Sequence, residues 1–350
     1  MSEMEKHRTR DSKFELLRII SMVFIIIHHY VYHGGLIFHA SGSNLCLGVL
    51  LLPLGKIGVN LFVLISGYFL INSKFRIKKV INLWIKTIFF SIMIVILGAL
   101  FFKNMSFANL LEAIHPLKCL RMYWFIPSYL GLYMLSPFLN KLLNSLDKNK
   151  YIYLICMFMI GLIILPQSFA FNNYVGGISW FIFLYIVGAY FKLYGIKAKY
   201  LRILMVGILL YFSWFSSVNF VKNEASFLIG QYIQMDNLII FLLSLSIFGV
   251  FQQLKIDYHP DINFLAESTL GIYILHDNPH LRNFWWKILK TKWFYDANIL
   301  VLISHIAFCA IVIYILMLMI DKIFNIVLKK TFLDIQIFDS YFEKLDNIIN

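Results

Sequence analysis

The first apolar segment of the chain, residues 14 to 36, carries an arginine and three histidines. Ionisable side chains inside a membrane span are expensive, so each is a candidate for chemistry unless it can reach a headgroup. At about 100° per residue, the eleven positions from Arg18 to His29 leave the two side chains roughly 20° apart around a helix and about 16 Å apart along it. His33 lies one turn further along the same face, whereas His28 is rotated away by about 100°.

His29 is the member of this group best suited to catalysis, with Arg18 as a second candidate on the same face. A neutral imidazole titrates at about pH 6.5, so His29 is a candidate general base in a dry cavity. The alternative, which the spacing leaves open, is that the histidines anchor one end of the helix while Arg18 reaches headgroups or pairs with Glu15. His29 and His33 have a spacing that suits two metal ligands, but no third ligand is evident, and the sequence predicts no metal site.

Further candidates lie near the ends of later spans. Trp124 is suited to stacking on a sugar or on adenine, and equally to an interfacial belt of tryptophans. His276 and Asp277 close the predicted ninth span, where they either orient one another near an acceptor or are ordinary polar residues at a helix end. Ser66 stands beside a glycine in the second span, so close helix packing competes there with substrate contact. His305, alone in the tenth span, is interpreted as a core residue.

Helices in a membrane must position these residues. The 350 residues are 60% hydrophobic and 14% charged, against roughly 25% charged in a soluble domain, and the mean hydropathy is +0.76. Apolar runs long enough to span a bilayer predict an all-α polytopic bundle of about ten transmembrane spans. They lie at about 14–36, 47–72, 80–102, 122–140, 151–168, 177–195, 200–218, 236–253, 263–280 and 297–320.

The charge distribution orients this bundle. The 31 Lys and Arg exceed the 18 Asp and Glu, which in a soluble protein would point to nucleic acid. Here the basic residues cluster between spans and follow the positive-inside rule, with both termini cytoplasmic, so we predict membrane lipids rather than nucleic acid as partners. We also predict one transmembrane domain over residues 1–332 and a cytoplasmic tail over residues 333–350. The basic, tryptophan-rich segment 280–296 is the exception, and it is predicted to be an amphipathic helix in the interface.

Several motifs resemble those of a known family. Arg18 and His29 enclose ten residues, and an Arg or Lys at this distance before a His in the first helix is the hallmark of the acyltransferase-3 family of membrane O-acyltransferases. Three further blocks are similar to that family and lie in the same order: GVNLFVLISGYFLINSKFRIKK from Gly58, YWFIPSYLGLYMLSPFLNKL from Tyr123, and STLGIYILHDNPHLRNFWW from Ser268. The last two resemble the branch found among bacterial capsule and exopolysaccharide modification enzymes.

The resemblance implies a multi-pass enzyme of the bacterial plasma membrane that transfers an acyl group, usually acetyl, from acyl-CoA. The acceptor would be a sugar hydroxyl of a polysaccharide or of its lipid-linked oligosaccharide precursor. His29 would take the proton of that hydroxyl and Arg18 would assist, with no covalent acyl-enzyme and no bound cofactor. The candidates for substrate binding are Trp124, His276 and Ser66.

The basic loop after the second span is the candidate site for the CoA phosphates, through Arg76, Lys78 and Lys79. The family typically has two arginines separated by two residues there, whereas this chain has Arg76-Ile-Lys-Lys79. Lysine keeps the charge but loses the bidentate fork. Topology alone also explains a basic loop, because a positive-inside loop needs no ligand.

Two other function classes fit a bundle with internal charges. A carrier or flippase for lipid-linked glycans would predict paired broken helices in the two halves of the chain, and none are apparent in the sequence. A polysaccharide polymerase would predict a large outer loop, whereas every predicted loop is short.

Overall fold

The computed structural model of the protein describes residues 10–102, 107–115, 120, 123–165, 177–195, 198–221, 234–331 and 336–350. Within these ranges every regular element is a helix, which confirms the predicted all-α fold. The α-helices are α1 (Ser12–Tyr32), α2 (Leu36–His39), α3 (Gly42–Leu51), α4 (Leu54–Leu70), α5 (Ile77–Phe102), α6 (Phe107–Ile114), α7 (Phe125–Ser145), α8 (Lys148–Met159), α9 (Ile178–Tyr194), α10 (Ala198–Val221), α11 (Leu238–Gln253), α12 (Pro260–Ala266), α13 (Thr269–His276), α14 (Arg282–Ile288), α15 (Ile299–Thr331) and α16 (Gln336–Ile349). A π-helical turn, Ile160–Ile164, extends α8, and a 3₁₀ turn, Thr291–Phe294, follows α14.

Four helical stretches in the described ranges are long and apolar enough to cross a membrane. They are Ser12–His39, Gly42–Leu70, Ile77–Leu100 and Ile299–Ile326. Helices α9 and α11 are apolar but shorter. The predicted count of ten spans and the cytoplasmic position of the termini stay predictions. The predicted second span, 47–72, contains a turn at Leu52 and Pro53 that separates α3 from α4.

Helix α4 lies at the centre of the bundle and packs against α1, α9 and α11. Its contact with α9 depends on glycine. A Cβ atom at Gly67 of α4 would lie 2.3 Å from the Tyr185 carbonyl oxygen, and one at Gly188 of α9 would lie 2.2 Å from the Leu64 carbonyl oxygen. In a membrane, such small residues let helix backbones touch, and the resulting van der Waals packing holds the helices together.

The predicted ninth span, 263–280, is wrong as a continuous helix. Helix α12 ends at Ala266, and α13 begins at Thr269, whose hydroxyl donates to the Ala266 carbonyl over 2.9 Å. This bond satisfies a carbonyl that the interrupted helix leaves free. Helix α13 packs against α1 and α15 and ends at His276, with Asp277 as its C-cap. Both residues are buried, so the break places a polar helix end inside the bundle.

The segment 280–296 forms α14 and the 3₁₀ turn, and it packs on the chain between α1 and α2. The Thr291 and Tyr295 hydroxyls both donate to the Gly34 carbonyl, and Trp286 is buried. The segment is therefore attached to the core at this end of the bundle, which an amphipathic helix lying on the surface would not be. It reaches α15 as well, where the ring of His305 stacks on Phe294 at 3.6 Å.

An ion pair joins two of the long apolar helices. Lys86 Nζ of α5 lies 2.5 Å from Asp321 Oδ1 of α15, although the geometry is not that of a hydrogen bond. The Asp321 side chain is 0% exposed, and its other oxygen accepts from Asn325 over 3.0 Å. Gly271 of α13 packs directly on the carboxylate, where a Cβ atom would lie 1.8 Å from Oδ1. A buried carboxylate needs its counter-charge, so this pair holds α5, α13 and α15 together.

We expect Lys86→Met to destabilise the protein by about 3–5 kcal/mol, because it leaves Asp321 charged and unpaired in the interior. Thermal unfolding in detergent micelles measures the effect as a lower melting temperature. Adding Asp321→Asn should restore much of the loss. The control is Lys150→Met, which removes a solvent-exposed pair with Asp147 and should leave melting unchanged. Equal melting of Lys86→Met and the control would show that the buried pair contributes nothing.

Candidate active site

Helix α1 directs Arg18 and His29 towards the protein interior. His29 lines a cavity of about 410 Å³, which we call the histidine cavity. Arg18 lines a smaller cavity of about 180 Å³, which we call the Arg18 cavity. Ile25, Val59 and Tyr273 line both cavities. The two cavities are therefore neighbours along one face of α1, and these three side chains form the wall between them.

The histidine cavity is enclosed mainly by α1, α4, the end of α13 and the start of α14. Its lining combines basic, aromatic and apolar residues: Ile25, His28, His29, Tyr32, His33, Leu52, Gly55, Lys56, Val59, Trp124, Gln234, Tyr273, Asp277 and Arg282. Asp277 is the one acid in this lining as far as the chain is described. The close approach of α1 and α4 here again needs glycine, because a Cβ atom at Gly55 would lie 2.4 Å from the His28 ring.

Hydrogen bonds around His29 define which of its nitrogens can accept a proton. The Ile272 carbonyl lies 2.7 Å from Nδ1 of His276, and because a carbonyl only accepts, that nitrogen carries the hydrogen. Nε2 of a neutral His276 is then an acceptor, and it lies 3.0 Å from Nδ1 of His29. His29 therefore donates from Nδ1 and keeps its lone pair on Nε2.

Asp277 lies beside this lone pair, and Arg282 lies beside Asp277. Oδ1 of Asp277 lies 3.7 Å from Nε2 of His29, close enough to stabilise an imidazolium. Arg282 lies 3.9 Å from the same oxygen and donates to Nε2 of His33 over 3.3 Å. The Asp277 oxygen makes no hydrogen bond of good geometry, so neighbouring positive charge is what stabilises it. The His29 side chain is 12% exposed, which keeps the base out of bulk solvent.

His29, His33 and Asp277 also have the residue types of a metal site, with possible ligand atoms within 4.8 Å of one another. The Arg282 guanidinium, however, contacts both His33 and Asp277. A metal cation between these ligands would lie against a fixed positive charge, which costs free energy in a site of low dielectric. The arrangement favours an ion-pair network, and we assign no metal to it.

The Arg18 cavity contains the second catalytic candidate. Arg18 Nη1 lies 2.5 Å from Glu15, so the ion pair that the sequence left open is formed. The Arg18 side chain is still 28% exposed and lines the cavity together with Arg10 and Ser66. The Ser66 hydroxyl donates to the Phe62 carbonyl of its own helix over 2.9 Å, and no substrate is needed to satisfy it.

The remaining candidates divide between the histidine cavity and the surface. Trp124 lines the histidine cavity and is 39% exposed. The basic residues before and at the start of α5 line neither cavity: Arg76, Lys78 and Lys79. Their loop instead holds the C-terminal helix, because the backbone N–H of Ile77 donates to Asp346 of α16 over 2.8 Å.

Sequence reasoning did not select Lys56 or Arg282, and it gave Asp277 no partner other than His276. A signal for Lys56 exists, because it is a charged residue inside the apolar run 47–72. Arg282 lies in the segment that we predicted to be interfacial, where a basic residue needs no further explanation. Only the folding of that segment over α1 reveals its contact with His33.

Comparison with known proteins identifies the family of the chain. A family model described as an acyltransferase domain, that of the acyltransferase-3 family, matches residues 11–321. The matched region includes Arg18, His29, His276 and Asp277. No curated protein and no solved structure matches the chain. Because this match covers most of the chain, the chain belongs to the acyltransferase-3 family and is a membrane acyltransferase.

Proposed function

We propose that the protein transfers an acetyl group from acetyl-CoA to a sugar hydroxyl of a cell-surface polysaccharide or of its lipid-linked precursor, in a bacterial plasma membrane. One observation carries the proposal. The unprotonated Nε2 of His29 faces a cavity large enough for part of a sugar, and that cavity adjoins a second one lined by Arg18.

His29 acts as the general base. Nε2 takes the proton of the acceptor hydroxyl while the hydroxyl oxygen bonds to the thioester carbonyl carbon. The carbon–sulfur bond then breaks, and the imidazolium returns the proton to the departing thiolate, so the products are the ester and CoA with a free thiol. Asp277, at 3.7 Å, stabilises the imidazolium between these two steps.

The Arg18 cavity supports a route for the donor. Arg18 and Arg10 line it, each beside a glutamate of the same lining, so these arginines offer an anionic donor the N–H groups that Glu15 and Glu267 leave free. Three side chains separate this cavity from the one at His29. Arg76, Lys78 and Lys79 remain candidates for the distal CoA phosphates, outside both cavities. In the histidine cavity, Trp124 offers a ring face for the sugar.

The geometry favours a positioning role for His276 over the substrate contact expected from the sequence. Both of its nitrogens are engaged, one with Ile272 and one with His29. The broken α12–α13 pair is a feature that transporters also have. Here it delivers His276 and Asp277 to the base, and the family match favours catalysis over transport.

We expect His29→Ala to reduce transfer of labelled acetyl from acetyl-CoA to membrane glycan by about 10²–10⁴-fold, because the base is lost. The protein should still insert and melt normally. The matched control is His39→Ala, which removes an exposed histidine that lines neither cavity. Normal labelling by His29→Ala would eliminate the mechanism.

His276→Phe should lower kcat by about 10–100-fold and leave the KM values for both substrates nearly unchanged, since only the orientation of His29 is lost. His276→Gln, which keeps an acceptor, should recover part of the rate. Steady-state kinetics in detergent or nanodiscs separates the two parameters. A rise in KM for the acceptor with constant kcat would instead support direct substrate binding.

Val59→Ala opens the wall between the cavities, so longer acyl groups should pass more easily. We expect the ratio of butyryl to acetyl transfer to rise about tenfold, as one or two methylene groups allow in an apolar constriction. Competition between labelled acetyl-CoA and butyryl-CoA measures the ratio. Val49→Ala, on α3 and outside both linings, is the control. An unchanged ratio in Val59→Ala would exclude this wall from the acyl route.

A further inference from the structure

The histidine cavity has more positive than negative charge in its described lining. Lys56 and Arg282 are the lysine and arginine of this lining, and Asp277 is the acid there. Asp277 lies 3.9 Å from Arg282 and 3.7 Å from His29, so its charge is already shared between the guanidinium and the base. Asp236 also acts electrostatically on Lys56, but it does not line the cavity. A ligand entering the cavity therefore meets two basic side chains and one carboxylate of the described lining, with Asp236 as a further negative charge outside it.

The backbone is also positive at this point. Lys56 is the third residue of α4, and Gly55 from the same helix start also lines the cavity. The positive end of the α4 dipole therefore lies at the cavity beside the Lys56 side chain. A buried charge is costly unless it is paired, so an anionic group between Lys56 and Arg282 would be stabilised there.

We infer that the acceptor carries an anionic group, held by Lys56 and Arg282, next to the hydroxyl that is acylated. This inference rests on the proposed acyl transfer and specifies its substrate class. Lys56 and Arg282 line the same cavity as His29, so the anion and the reacting hydroxyl belong to one sugar or to adjacent groups. Trp124 then contacts the ring between them.

Two chemical sources supply such an anion. One is the carboxylate of an acidic sugar, and the other is the diphosphate that joins a glycan to its lipid carrier. Both accept hydrogen bonds from an ammonium and a guanidinium, and arginine binds both through paired oxygens. Lys56 and Arg282 can therefore bind either anion. The acceptor used in the assay shows which of the two anions is bound.

The test uses the glycan of the cells that express the protein, with its acetyl esters removed by mild alkali. Membranes holding the protein transfer labelled acetyl from acetyl-CoA to four acceptors: the lipid-linked glycan, the free glycan, and each of these after reduction of its carboxylates to alcohols. A loss of kcat/KM of about tenfold or more on carboxylate reduction assigns the acidic sugar. The same loss on removal of the lipid diphosphate assigns the carrier.

Variants of Lys56 connect the result to the cavity. Lys56→Gln should raise the acceptor KM by about tenfold or more and leave the KM for acetyl-CoA unchanged, whereas Lys56→Arg should keep the wild-type value. Lys150→Gln, at an exposed lysine far from the cavity, is the matched control. A wild-type acceptor KM in Lys56→Arg also shows that the weaker acceptor binding of Lys56→Gln does not come from misfolding.

Equal transfer to all four acceptors overturns the inference, as does an unchanged acceptor KM in Lys56→Gln. Both results leave the acyl transfer itself intact. Absence of any His29-dependent label in the untreated glycan is a different outcome, because it refutes the proposed function on which the inference rests.

Discussion

The hydrogen bond between His29 and His276 is the contact on which the candidate site depends. It joins α1 to the end of α13 across 247 positions of sequence. Because His276 is itself fixed by the Ile272 carbonyl, the bond leaves a single lone pair on His29 and directs it into a cavity. Helix α13, which begins after the break at Ala266, ends at this point, so that His276 and its C-cap Asp277 are both buried.

Two charged side chains of the apolar helices, Lys86 and Arg18, each contact an opposite charge, and Lys56 and Arg282 differ from them. Lys86 and Asp321 neutralise each other in a contact that excludes a ligand, and Arg18 contacts Glu15. Burial makes an unpaired charge costly, so these pairs are what the membrane requires of any bundle. Lys56 and Arg282 differ because they line a cavity in which positive charge is in excess. Their side chains border a cavity, whereas those of Lys86 and Asp321 contact each other directly.

The two cavities also connect the two residues of α1 that the sequence singled out, Arg18 and His29, which lie about three helical turns apart. Arg18 and His29 lie on the same face of α1, so the cavities that they line succeed one another along that helix. Their common wall consists of three side chains, two of them aliphatic. A change at one of these side chains is therefore the direct way to test whether the two cavities communicate.

The sequence alone determined the class of the protein, its family and the face of the first helix that Arg18 and His29 share. Helical periodicity and apolar length are local properties, so the positions of Arg18 and His29 on one face, and most helix locations, followed directly. The continuous ninth helix was wrong, because the helix breaks between Ala266 and Thr269, where the Thr269 hydroxyl satisfies the Ala266 carbonyl, and an apolar run does not reveal such a break. The partners of His29 lie more than two hundred residues away and are brought to it by packing, which no local pattern encodes. For the same reason the roles of Lys56, Asp277 and Arg282 depend on the tertiary structure, since a charge becomes part of a site only through its distance to other charges.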